Sequence, residues 1–156
     1  MAIRGLDRDV FRNVIGHFAS GVTVITTRQE GVDYGMTASA VSSLSMDPPM
    51  LLVCINRRNP TQHAISASRA FSVNILTESQ AELAERFGRP GKDKFAGLER
   101  VYGRYGAPIL DQALAYLECR VVEDVTGGTH SVFVAEVLDA IARDGSPLTY
   151  LSLDHL

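Results

Sequence analysis

Gly35-Met36-Thr37-Ala38-Ser39-Ala40-Val41-Ser42-Ser43-Leu44-Ser45, closed by Asp47-Pro48-Pro49 and followed by the apolar run Met50-Leu51-Leu52-Val53-Cys54-Ile55-Asn56, is the stretch whose reading decides the fold. A strand that only packed would carry more Val, Ile and aromatic residues on its core face. In an extended chain Thr37, Ser39, Ser43 and Ser45 share one parity and line one face, which suits a polar ligand with many acceptors. Taken alone, the spacing favours a solvent-exposed sheet face. Gly35 and Ala38 add no bulk, so a flat ring or a phosphate can approach the backbone N–H groups closely. The diproline stops this strand before the next, at 50–56.

Working outward, Val22-Thr23-Val24-Ile25-Thr26-Thr27 is β-branched, which stiffens χ1 and disfavours helix. The Glu30-Gly31-Val32-Asp33 turn makes the strand from Tyr34 its hairpin partner. Upstream, Asp7 caps a helix to about residue 18 in which Val10, Phe11, Val14, Ile15 and Phe18 form one apolar stripe, and Gly21 ends it. Downstream, Arg57-Arg58-Asn59-Pro60 is a turn feeding a short helix over 61–68. The strand over 71–76 puts Phe71, Val73 and Ile75 on one face. Thr77-x-x-Gln80 matches a capping box and starts a helix whose Ala81, Leu83, Ala84 and Phe87 face inward. Residues 88–106, rich in Gly, Lys and Arg, read as a surface loop long enough to be functional. Two long strands, 113–125 and 131–143, are joined by the Thr126-Gly127-Gly128-Thr129-His130 turn, and 147–153 supplies a last strand. Six or seven antiparallel strands with three short helices predict a mainly β protein, a closed or partly split barrel. With no linker or repeat, the whole of 1–156 reads as one domain.

Composition narrows the function. Of 156 residues, 46% are hydrophobic and 21% charged, so the chain is globular and large enough for its own core. A net charge of −3 without a basic run argues against nucleic acid as a partner. No apolar run is long enough to span a bilayer, and Arg4, Asp7, Arg8 and Asp9 leave no room for a secretory h-region. The expectation is a soluble, cytoplasmic protein. Cys54 and Cys119 sit in apolar strands, and a reducing compartment makes them free core residues rather than a disulfide. The four histidines are scattered and no Cys/His cluster exists, so no metal is expected. Gly-x-Gly-x-x-Gly, the P-loop and the Gly-x-Ser-x-Gly elbow are all absent, and no carboxylate pair stands out. A dinucleotide, if bound, must be bound in another way.

Several separated blocks, in order, carry a resemblance: Phe18-Ala19-Ser20-Gly21-Val22-Thr23-Val24-Ile25-Thr26, the stretch from Gly35 to Asn56, Phe71-Ser72-Val73-Asn74-Ile75-Leu76, Phe87 with Lys94-Phe95, Leu117-Glu118-Cys119-Arg120-Val121, and Thr129-His130 before Val134-Ala135-Glu136-Val137. Over residues 11–150 the chain resembles the flavin reductase-like family of FMN-binding split barrels, antiparallel and Greek-key-like with short peripheral helices. These are the short reductase components that supply reduced flavin to two-component monooxygenases. The resemblance implies that FMN or FAD is reduced by NADH or NADPH, that an oxygenase component receives the product, and that the protein is a homodimer. It implies a flavin site built from Gly35, Met36, Thr37, Ala38 and Ser39, from Ser42, Ser43 and Thr61 toward ribityl or phosphate oxygens, and from Val53, Cys54, Ile55 and Asn56 along the ring. Phe87, Lys94 and Phe95 match the loop over the phosphate end, with Lys94 as a point charge and Lys92 nearby. His130 matches a turn histidine near the nicotinamide, although Thr129 stands where the family often carries an acidic residue. The C-terminal Tyr150-Leu151-Ser152-Leu153-Asp154-His155-Leu156 likewise departs from the family's Arg-Gly-x-Tyr-like ending. Both departures touch the nicotinamide side, so the alternative is a flavin-binding split barrel without productive NAD(P)H oxidation.

Overall fold

The β-branched run at 22–27 forms the spine of the sheet. In the computed structural model, which describes residues 5–91 and 93–150, it becomes β2 (Thr23–Gln29), after a helix α1 (Arg8–Ile15) and a short β1 (Ser20–Gly21). Asp7 caps α1 by accepting from the Asp9 N–H. The next strand, β3 (Val32–Ala38), returns antiparallel with Gln29 opposite Val32. Glu30 and Gly31 both hold positive φ, 50° and 76°, the twist a two-residue hairpin loop requires. There follow β4 (Val41–Met46), β5 (Pro49–Asn56), α2 (Pro60–Ser68), β6 (Ala70–Ile75), α3 (Ala81–Gly88), β7 (Arg100–Tyr102), β8 (Pro108–Leu110), β9 (Ala115–Gly127), β10 (His130–Ala142) and β11 (Thr149–Tyr150).

Seven strands pair antiparallel in the order β3-β2-β6-β9-β10-β5-β4. The two edge strands, β3 and β4, are consecutive in the chain, so the sheet curls until its edges are bridged by Ser39 and Ala40. The Cys54 N–H donates to the Ala40 carbonyl at 3.0 Å across this junction. Alternate residues fill the barrel: Ile25, Val53, Ile55, Phe71, Val73, Cys119 and Phe133 are all buried, and Ile65 of α2 joins the same cluster. On the outer face of β2 a second cluster forms from Val22, Val24, Leu76, Phe87, Phe95 and Leu110, flanked by Leu83 and Leu98. This outer cluster anchors α3 and the segment after it.

Several expectations are corrected. The polar strand at 35–45 is two strands, because β3 pairs with β2 and β4 with β5 at opposite ends of the sheet, and the chain must turn between them. A bulge between Ser43 and Ser45 shifts the register again, so Thr37, Ser39, Ser43 and Ser45 do not share a face. Gln80 does accept the Thr77 N–H at 2.9 Å, but Thr77 bridges Pro147 and the helix begins at Ala81, which is exposed. Residues 88–106 are not one loop, since β7 lies within them and pairs with β8. The stripe on α1 is exposed throughout rather than packed. Of the last expected strand, Thr149 and Tyr150 pair with β1, while 151–153 lie outside the described residues, as does Lys92.

Cys119 points into the barrel, and burial, helped by the neighbouring Glu118 charge, pushes its thiol up to about 12. A thiol pKa raised in the folded state gives stability that is complete below the unfolded value near 9 and is lost as pH climbs toward 12. This group alone should lower stability by about 1.4 kcal/mol per pH unit across that window. Denaturant melts of wild type and Cys119→Ala should therefore diverge in slope above pH ~9; parallel slopes would show that the thiol ionises freely in the fold.

Candidate functional site

β3, β7, the start of α2 and the segment following α3 surround an open cleft of about 1430 Å³, roomier than the usual ~300–1,000 Å³ small-molecule pocket. Its floor is organised by Asp33. The hairpin register sets Arg28 opposite Asp33, and the carboxylate accepts from Arg28 Nη1 at 2.7 Å, Arg100 Nε at 2.9 Å and the Tyr102 hydroxyl at 2.6 Å. Arg28 also lies 4.7 Å over the Tyr102 ring and Arg100 5.0 Å over that of Phe95. These contacts hold β7 against the β2–β3 hairpin. Asp33→Asn is expected to lose about 1–2 kcal/mol, modest because both arginines are partly solvated. Amides of residues 100–110 should exchange faster; wild-type protection there would mean that Asp33 is not the anchor.

The wall opposite is stapled by Lys94, whose ammonium donates to the carbonyls of Gly35 at 3.3 Å and Phe87 at 3.2 Å. Partial burial lowers its pKa. The Thr37 hydroxyl is likewise used within the protein, donating to the Ala84 carbonyl of α3. Above Gly35 no open space remains. A Cβ there would lie 2.7 Å from Phe87 Cε1 and 3.1 Å from Phe95 Cζ, so the absent side chain makes room for the protein's own rings. At the start of α2, Asn59 accepts the Thr61 N–H through its side chain and the Gln62 N–H through its carbonyl. Thr61 is 2% exposed and lines the cleft, with no partner for its hydroxyl in the protein.

Half of the expected site residues meet in this cleft. Gly35, Met36 and Thr37 come from β3, Asn56 and Thr61 flank the turn into α2, and Phe87, Lys94 and Phe95 form the stapled wall. The others lie outside its lining. Val53 and Ile55 are buried in the barrel, as is Ala38, leaving only their backbone to a ligand, whereas Cys54 on the alternate face is half-buried. Ser39, Ser42 and Ser43 are exposed on the β3–β4 junction and on β4. His130 is one strand from the cleft, opposite Asn56, and its Nδ1 bonds the Thr129 hydroxyl at 2.8 Å. Asp33, Arg28, Arg100 and Tyr102 were not foreseen. The two-residue turn carried a signal for the Arg28–Asp33 pair, since it fixes which residues face each other, but nothing local joins them to Tyr102. Among the described residues no group of His, Cys, Asp and Glu could hold a metal ion, and no helix is long and apolar enough to cross a membrane.

Comparison with known proteins agrees with this architecture. Residues 15–153 match the family described as "Flavin reductase like domain". The chain is 55% identical, over 95% of its length and 80% of the relative's, to the reductase component of 4-nitrophenol 4-monooxygenase/4-nitrocatechol 2-monooxygenase of Rhodococcus opacus. It superposes on nitrilotriacetate monooxygenase component B from Mycobacterium thermoresistibile with a TM-score of 0.89 and 38% identity, covering 93% of this chain and 83% of that one. The NADH:FAD oxidoreductase SgcE6 of Streptomyces globisporus C-1027, in complex with NAD and FAD fragments, gives a TM-score of 0.87 and 32% identity over 92% of this chain and 88% of its own.

Proposed function

The chain belongs to the flavin reductase-like family, and from that premise we propose that it is an NAD(P)H:flavin oxidoreductase that reduces FMN or FAD and passes the reduced flavin to a separate monooxygenase. One geometric observation carries the reading: residues 35–37, 56, 61, 87, 94 and 95, distant in sequence, converge on one cleft. The donor set fits a phosphorylated flavin. Thr61 offers a free, nearly buried hydroxyl, Asn56 a carboxamide, and among the charged residues of the lining cations outnumber acids. When bound, the cofactors supply the chemistry, a hydride passing from nicotinamide C4 to flavin N5, so no side chain need act as a nucleophile. The protein's part is to bind and orient. Thr61 and Asn56 address polar atoms, and Phe87 and Phe95 keep the adjoining wall apolar and rigid. In this reading Ser39 at the β3–β4 junction, Ser42 and Ser43 of β4 and Cys54 of β5 serve the same ligand, and Ala38, Val53 and Ile55 contribute backbone groups. His130, oriented by Thr129 in place of an acidic residue, meets the nicotinamide.

Purified protein should oxidise NADH or NADPH only when FMN, FAD or riboflavin is supplied, followed by the nicotinamide absorbance. His130→Ala should raise KM for the nicotinamide and spare flavin affinity. A yellow protein whose flavin is not bleached anaerobically by either nicotinamide would favour a flavin-binding role without reductase activity.

The working assembly in this proposal is a homodimer in the cytoplasm, with the chain acting as one domain. The exposed face of α1 supports dimerisation: Val10, Phe11 and Val14 are each more than half exposed, and Leu44 and Met46 of β4 add further apolar surface. Both cysteines are free, as a reducing compartment requires. Light scattering at micromolar concentration should give twice the chain mass; a flavin-loaded, active monomer would refute the dimer.

A further inference from the structure

Most of the cleft's charge is already committed within the protein. Among the described residues it is lined by Arg28, Arg58, Arg89, Lys94 and Arg100 against Asp33 and Asp93. Arg28 and Arg100 are held by Asp33 and Tyr102. Lys94 spends two of its three N–H bonds on the carbonyls of Gly35 and Phe87. Backbone donors at the start of α2 are scarce too. Pro60 has none, and the Thr61 and Gln62 N–H groups are taken by Asn59. Two guanidinium groups remain: Arg58, in the turn entering α2, and Arg89, just after α3. Both side chains are exposed, line the cleft and have no partner.

We propose that Arg58 and Arg89, rather than Lys94, recognise the phosphate ester of the ligand, with the Thr61 hydroxyl of the same lining as an additional donor; this rests on reading the cleft as the flavin site. A guanidinium presents a planar fork that matches two phosphate oxygens at once, which an ammonium cannot do. Arg58 and Arg89 also come from separate stretches of the chain, the turn entering α2 and the segment after α3, and both line the same cleft. Asp93 is the one acidic group of the lining without a cationic partner, and it is outnumbered by these two. Lys94 becomes a staple for the wall that carries Phe87 and Phe95. The same phosphate chemistry occurs in FMN, in FAD and in the nicotinamide dinucleotide, but not in riboflavin.

The test uses Arg58→Gln, Arg89→Gln and the double variant, each at an exposed position that does not threaten the fold. Oxidised riboflavin, FMN and FAD are titrated in separately by flavin fluorescence quenching, and KM for NADH is measured at saturating flavin. Each single variant should weaken FMN and FAD about tenfold, with riboflavin unchanged and Arg→Lys restoring part of the loss. That outcome assigns the pair to the flavin phosphate. Unchanged flavin affinities with KM for NADH raised at constant kcat assign it to the nicotinamide pyrophosphate instead. Equal weakening of riboflavin and FMN, or no change for any ligand, overturns the proposal. A wild-type protein that binds none of the three flavins removes the flavin reading itself, and this inference with it.

Discussion

Phe87→Ala is expected to cost about 3–5 kcal/mol, the usual consequence of emptying a ring-sized space that its surroundings cannot refill. Phe87 is 1% exposed and meets Phe95 edge to face, with ring centres 5.0 Å apart and planes at 79°. It closes the outer cluster against Val22, Val24 and Leu76. Small domains hold only ~5–15 kcal/mol in all, so the loss is a large share of the total. Its effect should also reach the cleft, because the Phe87 carbonyl is one of the two that Lys94 staples. Urea unfolding should show a lower midpoint at unchanged m, and limited proteolysis should cut first within residues 88–97. A midpoint shift worth less than about 1 kcal/mol would mean that the outer cluster collapses onto the gap.

Gly35→Val should be the second largest effect, and its sign is the informative part. Glycine inside a strand normally weakens it by about 0.5–1 kcal/mol relative to alanine, so a substitution made on propensity alone would stabilise. Gly35 has an ordinary negative φ, leaving no backbone reason for it. What forbids a side chain is Phe87, whose Cε1 and Cδ1 atoms would be 2.7 and 2.9 Å from the new Cβ. A ring that is buried on its other side has nowhere to retreat, so overpacking should cost about 1–3 kcal/mol. Joining the two changes gives a sharper check. In Gly35→Val/Phe87→Ala the valine enters the space the ring left, so the double variant should be less destabilised than the sum by about 1 kcal/mol or more. Strict additivity would show that the two positions do not share that space.

Much of the fold was legible because β-branched runs and two-residue turns act locally. The run at 22–27, the Glu30-Gly31 loop and the Gly127–His130 turn each fix a strand and its partner without help from elsewhere. The helix cap at Asp7 was read for the same reason. Readings failed where distant pairing overrules local pattern. Residues 35–45 look like one strand because Ser and Thr alternate along them, but their hydrogen bonds go to opposite ends of the sheet. Thr77 and Gln80 make half of a capping box and no helix start, because Thr77 is held by Pro147, 70 residues on.

The candidate site divides along the same line. Residue type and order determined which blocks belong to this family, and with them Thr61, Phe87 and Lys94 as residues of interest. The sequence also carries no Rossmann fingerprint, no P-loop and no Cys/His cluster. Tertiary structure alone decided what those residues are free to do. Gly35 looked like an opening for a ligand, but Phe87 and Phe95 fill it; Lys94 looked like a free charge, but two carbonyls engage it. Arg58 and Arg89, which carried no sequence signal beyond a turn and a basic loop, are the guanidinium groups left uncommitted on the cleft. The physical reason is that a side chain's chemistry is set by its residue type, whereas its availability depends on partners that only long-range packing brings within hydrogen-bonding distance.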